Sequence, residues 1–229
     1  MITALDFATR HGSFWKANFP ALESYVRLVN SGAYERYADP LDWTAKAERN
    51  YFVSEVGFCL AKISQHGTAT VDQAMGMARD RLSNLPGISE AAPVLSASER
   101  RLASSLSNSL ISILHHIEPT GDTVFDPSFK GCGLMLQAYG DCLRGSTLFE
   151  VKSVERAFRS SDFRQLLTYF FLNRSSQVYQ IQRLGVINPR TCIYFSAPVD
   201  ELIYAISGSN VSDSQSKFWS AIGMAGASR

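Results

Sequence analysis

An acid and a lysine stand two positions apart in an apolar stretch of the sequence, and a second acid precedes them. They are Glu150 and Lys152, with Asp141 upstream. Residues two apart in a strand share a face, so Glu150 and Lys152 are predicted to point the same way while Val151 packs behind them. A turn predicted over Cys142 to Ser146 would bring Asp141 back toward Glu150. The sequence therefore predicts two carboxylates and one ammonium group at a single point.

Such a group of side chains suits a divalent metal ion that activates water. Mg²⁺ and Mn²⁺ take oxygen ligands, and two converging carboxylates are the smallest contribution that a protein makes. Asp141 and Glu150 are the predicted ligands, with the backbone carbonyl of Val151 as a further one. A metal held there would acidify a water molecule, and Lys152 would orient that water or stabilise developing negative charge. The predicted chemistry is hydrolysis of a phosphodiester bond in a nucleic acid.

The alternative is a non-catalytic strand face that carries solvated charges, since an acid and a lysine two positions apart often occur by chance. Two features of the sequence favour the metal site. The strand is otherwise apolar, and an unpaired charged pair would be costly in a strand buried on both faces. Gln165 then follows on a predicted helix, with Tyr169 one turn later.

Together Asp141, the Glu150-Val151-Lys152 stretch and the Gln165 to Tyr169 helix resemble the PD-(D/E)XK nuclease superfamily. Within it they resemble the RecB-like branch, which has a Q-x-x-x-Y motif on the following helix. The resemblance covers about residues 121–197. It implies a restriction-endonuclease-like αβββαβ core, with Asp141 and Glu150 as metal ligands and Lys152 as the base that positions water. It also implies that Gln165 and Tyr169 orient the lysine or contact the DNA backbone.

The sequence departs from that family pattern in places. Gly140 stands where the motif has a proline, and Asp126 is a second-ranked alternative to Asp141. Glu55, in an earlier apolar helix, is interpreted as a structural acid. RecB-like enzymes often take another ligand from a helix before the sheet. Four residues near the ends of such a helix have no supporting spacing and are left out of the site: Glu99, His115, His116 and Glu118.

Arginines cluster around the predicted site, although the formal net charge of the chain is only +1. Arg144 and Arg159 are the predicted contacts to a nucleic-acid backbone. Acids such as Glu155 and Asp162 are interleaved with the cluster, so a salt-bridged surface remains the alternative for each arginine. Any nucleic-acid binding must come from local charge, since the chain has no general basic field.

The 229 residues, 45% hydrophobic and 19% charged, predict a folded α/β protein. We expect a nuclease domain over residues 95–229 and a helical N-terminal extension over residues 1–94 for partner binding, dimerisation or substrate positioning. Asp39-Pro40 is predicted to open the second N-terminal helix. A third helix is predicted from Val71 to Leu85, a break at Asn84 to Gly87 and a loop from Ala91 to Ser96.

The C-terminal domain is predicted to alternate between strands and helices. Helical periodicity runs from Ser98 to before Pro119. The elements predicted after it are strands Thr123-Val124-Phe125, Leu134-Met135-Leu136 and Thr147-Leu148-Phe149, a helix Asp162 to Leu172, a strand Thr191 to Phe195, and helices Val199 to Ile206 and Ser214 to Ile222.

The expected function is Mg²⁺- or Mn²⁺-dependent cleavage of DNA, as an effector in prokaryotic defence against phage and plasmids or in DNA repair. Expected partners are DNA, an ATPase, helicase or sensor protein, and a second copy of the chain. No membrane partner is expected, and the expected location is the cytoplasm. Two alternatives stay open: a nuclease-like subunit without activity in a larger assembly, and a nuclease acting on RNA or tRNA.

Overall fold

The computed structural model describes residues 1–83 and 94–227, the last four of them by backbone only. These residues form an α/β fold in which a six-stranded mixed sheet has helices on both faces, so the predicted α/β class is confirmed. The helices are α1 (Ala4–Arg10), α2 (Gly12–Asn18), α3 (Leu22–Leu28), α4 (Asn50–Ser64), α5 (Val71–Ser83), α6 (Ala97–Ile117), α7 (Ser160–Ser176), α8 (Val199–Ser207) and α9 (Val211–Ala227). The strands are β1 (Glu35–Arg36), β2 (Thr123–Phe125), β3 (Ser128–Phe129), β4 (Ala138–Tyr139), β5 (Cys142–Arg144), β6 (Thr147–Val151), β7 (Arg183–Asn188) and β8 (Ile193–Pro198). No helix among the described residues is both long and apolar enough to cross a membrane.

The strand order in the main sheet is β1-β8-β7-β6-β5-β2, and β3 pairs with β4 in a separate small ladder. Strands β6 and β7 are parallel, with Glu150 opposite Val186, whereas the other neighbours are antiparallel. Two adjacent parallel strands need a crossover connection, and helix α7 provides it. The strand that carries the predicted site therefore lies in the interior of the sheet.

Alternate residues of β6 face different cores. Leu148 packs in a core with Phe170 of α7, whereas Phe149 packs in a core with Ile113 of α6. By the same alternation Glu150 belongs to the α7 side of the sheet, although it lies among apolar residues and is fully buried. The fold thus places a carboxylate inside a hydrophobic layer.

The packing crosses the predicted division at residues 94 and 95. Phe7 and Trp15, from α1 and α2, share one core with α7, and β1 adds an edge strand to the sheet with Glu35 opposite Tyr194. Helix α4 packs against α6. The described part of the first 94 residues is therefore not helical throughout, and it completes both layers around the sheet. Their role in partner or substrate binding remains a prediction.

The start of α6 agrees with the sequence. Ser96 Oγ accepts a hydrogen bond from the Glu99 N–H at 3.3 Å, and Glu99 Oε2 accepts one from the Ser96 N–H at 2.8 Å. This reciprocal pair satisfies two N–H groups that a helix end leaves without partners. The predicted helix ending before Pro119 is confirmed.

The predicted helix start at Asp39-Pro40 is wrong, because α4 begins at Asn50. The preceding segment bonds to the sheet region instead. The Tyr37 N–H donates to the Cys192 carbonyl at 2.8 Å, and the Leu41 N–H donates to the Arg190 carbonyl at 2.9 Å. Tertiary hydrogen bonds thus override a local helix-start pattern.

The predicted strand at Leu134 to Leu136 is also wrong, since Met135 makes only an isolated bridge to Ile2. Most of the turn predicted over Cys142 to Ser146 is strand β5, which pairs with β6. Only Gly145 and Ser146 remain for the turn, which is tight because Gly145 adopts a positive φ of 54°.

Strand β7 was not predicted, and the strand predicted from Thr191 begins at Ile193. The helices predicted around Asp162, Val199 and Ser214 are confirmed as α7, α8 and α9. The end of the predicted helix at Leu85, the break at Asn84 to Gly87 and the Ala91 to Pro93 part of the predicted loop lie outside the described residues.

Candidate functional site

Asp141 is fixed beside the end of strand β6 by a backbone hydrogen bond. The N–H of Val151 donates to Asp141 Oδ2 at 2.7 Å. The chain that would continue the β5–β6 ladder turns away at Gly140, whose N–H donates to the Pro127 carbonyl at 3.0 Å. The Asp141 side chain therefore takes the place of a ladder carbonyl, which brings its carboxylate next to the Glu150-Val151-Lys152 stretch.

Glu150 and Lys152 form an ion pair, as expected for residues that share a strand face. The Glu150 side chain is fully buried, whereas 21% of the Lys152 side chain is exposed. Val151 packs with the α6-side core, which is the arrangement predicted from the alternation. The Lys152 N–H donates to the Ile187 carbonyl at 2.8 Å, so the lysine still lies along the sheet.

The two acids and the lysine are strongly coupled. Burial raises the pKa of Glu150 well above its ordinary value, and the neighbouring Asp141 raises it further while Lys152 opposes the shift. Burial also raises the pKa of Asp141, against Lys152 and the Val151 N–H. Burial alone would lower the pKa of Lys152, but Glu150 and Asp141 outweigh it and raise that pKa. Lys152 therefore stays an ammonium ion at neutral pH, and the acids would gain from a further positive charge.

The residues fit a hard divalent cation. Within the described part of the chain, Glu150 Oε2 is buried without a hydrogen-bond partner, and such an atom is costly unless something pairs with it. The described residues contain no cluster of three His, Cys, Asp or Glu side chains arranged for a metal ion. Two carboxylates are nevertheless enough for Mg²⁺, which commonly keeps waters and takes its remaining ligands from a substrate phosphate. The carbonyl of Val151 as a further ligand stays a prediction.

Asp141 and Lys152 open onto a cleft of about 410 Å³ beside helix α4. A second cleft of about 800 Å³ adjoins it. Asp141, Glu55 and Arg81 line both clefts. We call the two together the α4 cleft.

Glu55, Arg81 and Lys62 line this cleft, although the sequence did not place them at the site. Glu55 forms an ion pair with Arg81, as a structural acid would, but it also faces Asp141 across the α4 cleft. Burial raises the pKa of Glu55, against the opposing effect of Arg81. An acid inside the apolar pattern of α4 was the available signal, but its distance of 86 positions from Asp141 hid the connection.

The second-ranked acid, Asp126, lies in the wider part of the α4 cleft. Its carboxylate is 2.7 Å from Arg81 and 2.6 Å from Lys62. Two cations already neutralise it, whereas Asp141 accepts a single backbone N–H. This difference favours Asp141 as the metal ligand.

Gln165 and Tyr169 lie on α7 and contact each other, with Gln165 Nε2 donating to Tyr169 Oη at 2.6 Å. Tyr169 stacks on Phe129 with ring centroids 5.6 Å apart, and only 4% of it is exposed. A buried tyrosine does not fit a contact with the DNA backbone. The other predicted role, orienting Lys152, stays a prediction.

The prediction that Arg144 contacts a nucleic acid does not fit its environment. Only 4% of Arg144 is exposed, and its guanidinium donates to the Glu118 carbonyl at 2.6 Å and to Thr123 Oγ1 at 2.7 Å. Arg144 therefore ties the end of α6 to strands β2 and β5. Arg159, by contrast, is exposed at the start of α7 and remains a predicted contact.

The four residues that sequence analysis left out of the site are engaged elsewhere. Glu99 pairs with Arg49 at 2.7 Å, and His116 packs against Tyr37. His115 lies 3.2 Å from Arg144, and the Glu118 side chain lies against Gly145. None of these four lines the α4 cleft as described.

Comparison with protein-family models, with curated proteins and with solved structures gave no match to this chain. The residues and geometry of the site are therefore the basis for any function.

Proposed function

We propose that this protein is a Mg²⁺- or Mn²⁺-dependent nuclease that hydrolyses DNA phosphodiester bonds at the α4 cleft. The observation that carries the proposal is the meeting of Asp141, Glu150 and Lys152 at the end of β6, with a buried Glu150 oxygen left without a partner. The order helix α6, strands β2, β5 and β6, helix α7 and strand β7 supports a PD-(D/E)XK-type αβββαβ core.

Each residue has a distinct proposed task. Asp141 and Glu150 hold the metal ion, which when bound supplies a Lewis acid and lowers the pKa of water. The raised pKa of Lys152 keeps its ammonium group charged, and this favours stabilisation of negative charge on the phosphate over abstraction of a proton. Gln165 and Tyr169 support the α7 side of Glu150.

The charge of the α4 cleft supports a requirement for metal in substrate binding as well as in chemistry. Three acids and three cations line it, namely Glu55, Asp126 and Asp141 with Lys62, Arg81 and Lys152. A polyanion meets no net positive charge there until a divalent cation binds. Lys62 and Arg81 take the place of Arg144 as proposed phosphate contacts.

The same proposal includes a cellular role and partners for the nuclease. A small nuclease of this kind would act as an effector beside an ATPase, helicase or sensor protein, in defence or repair. Cleavage of both strands would favour a homodimer, because one chain has one site. The alternative of an inactive assembly subunit is disfavoured, since an inactive fold has no use for a buried carboxylate pair that destabilises it.

The test is digestion of supercoiled plasmid, linear DNA and RNA with Mg²⁺, with Mn²⁺ and with EDTA. Wild type is compared with Lys152→Ala and with Lys130→Ala, which removes an exposed lysine outside the cleft. We expect metal-dependent cutting of DNA by wild type and Lys130→Ala, and at least a hundredfold loss in Lys152→Ala. Cutting that survives in Lys152→Ala, or that is confined to RNA, would contradict the proposal.

A further inference from the structure

We infer that the α4 cleft takes a single-stranded segment of DNA, with Tyr51 and Tyr139 stacking on unpaired bases on either side of Asp141. This inference rests on the proposed nuclease function and specifies its substrate class. It follows from one helix face, two exposed rings and the charged side chains that line the cleft.

One face of helix α4 runs the length of the cleft. Tyr51, Glu55, Phe58 and Lys62 recur every three or four residues, which places them on the same side of a helix. The first three line the part of the cleft next to Lys152, and Glu55 and Lys62 line the wider part. At 1.5 Å per residue this face is about 16 Å long. A stacked strand rises ~3.4 Å per nucleotide, so the face spans about four or five nucleotides.

An exposed tyrosine stands on each side of the residues that the two parts of the cleft share. Tyr51 lines only the narrower part and is 46% exposed, whereas Tyr139 lines only the wider part and is 57% exposed. Tyr139 Oη accepts a hydrogen bond from Gln137 Nε2 at 2.9 Å, which holds the edge of the ring. Both rings therefore have free surface beside the cleft that a ligand could contact.

Cations line the same cleft as the two rings. Arg81 is held at 5.2 Å over the ring of Phe58 and 2.7 Å from Asp126, and Lys62 reaches the same carboxylate. Aromatic rings and cations that line one groove are typical of sites that bind single strands, in which bases stack on the rings while the cations follow the backbone. A duplex offers no free base faces, because its bases already stack on each other. The arrangement therefore favours an unpaired strand.

The test separates binding from cutting. Binding of a fluorescein-labelled oligothymidylate and of a duplex of equal length is measured by anisotropy with Mg²⁺ in the full-length Lys152→Ala background, which suppresses cutting. Five substitutions are introduced separately into this Lys152→Ala background. They are Tyr51→Ala and Tyr139→Ala, the ring-preserving Tyr51→Phe and Tyr139→Phe, and Tyr204→Ala. Tyr204 is 67% exposed on α8, outside the cleft, and so provides the matched control.

We expect tighter binding of the single strand than of the duplex, a loss of about fivefold or more in each cleft alanine variant, and little change in the phenylalanine and Tyr204 variants. Equal or tighter binding of the duplex would overturn the inference, and so would alanine variants that bind like their background. Cutting assays with the same tyrosine changes in otherwise wild-type protein then separate the two claims. Tyrosine-dependent binding without any cutting by wild type would overturn the nuclease proposal alone, whereas cutting without tyrosine dependence would overturn only the inference.

Discussion

The N–H of Val151 donates a hydrogen bond to Asp141 Oδ2 at 2.7 Å, at the point where the ladder between β5 and β6 ends. A side chain thus completes the pairing of a central strand. The same carboxylate lines the α4 cleft. Asp141 therefore has a structural task and a proposed chemical task, and these can be separated by substitution.

Asp141→Asn keeps an oxygen that can accept the Val151 N–H, whereas Asp141→Ala leaves that N–H without its partner. We expect the alanine variant to lose about 1–3 kcal/mol of unfolding free energy and the asparagine variant less. Both should lose metal-dependent cutting, because neither has the carboxylate. Urea unfolding and plasmid cleavage measure the two effects, and an Asp141→Asn variant that cuts like wild type would contradict the assignment.

Glu150 makes the stability of the metal-free protein depend on pH. Its pKa is raised above the ordinary 4.5, so between that value and the raised one the folded state binds more protons than the unfolded state. Stability should therefore fall as pH rises through this window, by up to about 1.4 kcal/mol per pH unit. Glu150→Gln lacks this titrating group, so its free energy of unfolding should rise relative to that of wild type as the pH rises.

Urea unfolding in EDTA at about pH 5 and about pH 8 measures that difference. In wild type Lys152 does not interfere, because its raised pKa keeps it protonated throughout. Glu48→Gln, at an exposed acid near α4, is the control. A constant difference between wild type and Glu150→Gln across pH would contradict the raised pKa.

The sequence predicted the meeting of Glu150 and Lys152 better than the residues that surround them. Glu150 and Lys152 are two apart in an apolar strand, and this local spacing fixed their shared face. Glu55, Lys62 and Arg81 lie far from them in sequence. Only the packing of α4 and α5 on α6 and the sheet brings them to the site, and no local pattern encodes that packing.

Arg144 is the reverse case, a residue that the sequence placed at the site and that the structure uses elsewhere. An arginine in a turn beside a predicted active site favours a phosphate contact, but residues 142–144 form a strand and the guanidinium bonds to Glu118 and Thr123. Hydrogen bonds to carbonyl groups at the end of a distant helix cannot be predicted from local charge. The same holds for Asp39-Pro40, where pairing with the segment before β8 replaced a helix start.

Arg144→Ala should therefore act on stability and not on DNA binding. Arg144 is a buried, charged side chain that donates to several acceptors. Its removal is expected to lower the free energy of unfolding by about 2–4 kcal/mol. Arg159→Ala, at an exposed position, should change stability by no more than about 0.5 kcal/mol. Thermal or urea unfolding measures both variants. Weaker DNA binding by Arg144→Ala at unchanged stability would restore the original prediction.

Glu55→Gln tests whether the acid facing Asp141 contributes to the proposed metal site. Arg81 keeps its contact with Asp126 in this variant, so we expect a small loss of stability. Removing a charge next to a metal site commonly lowers metal affinity by about 10- to 100-fold, and the concentration of Mg²⁺ needed for half-maximal cutting should rise accordingly. Glu48→Gln provides the matched control. An unchanged Mg²⁺ requirement would leave Glu55 as the structural acid that the sequence indicated.

The measurement that tests the central claim most directly is calorimetric titration of Mn²⁺ into wild type, Asp141→Asn, Glu150→Gln and Asp122→Asn. Asp122 is an exposed acid outside the α4 cleft and serves as the control. The account predicts binding by wild type and Asp122→Asn, and at least about tenfold weaker binding by the other two. Equal binding by all four proteins, or binding by none of them, would contradict a metal site built from Asp141 and Glu150.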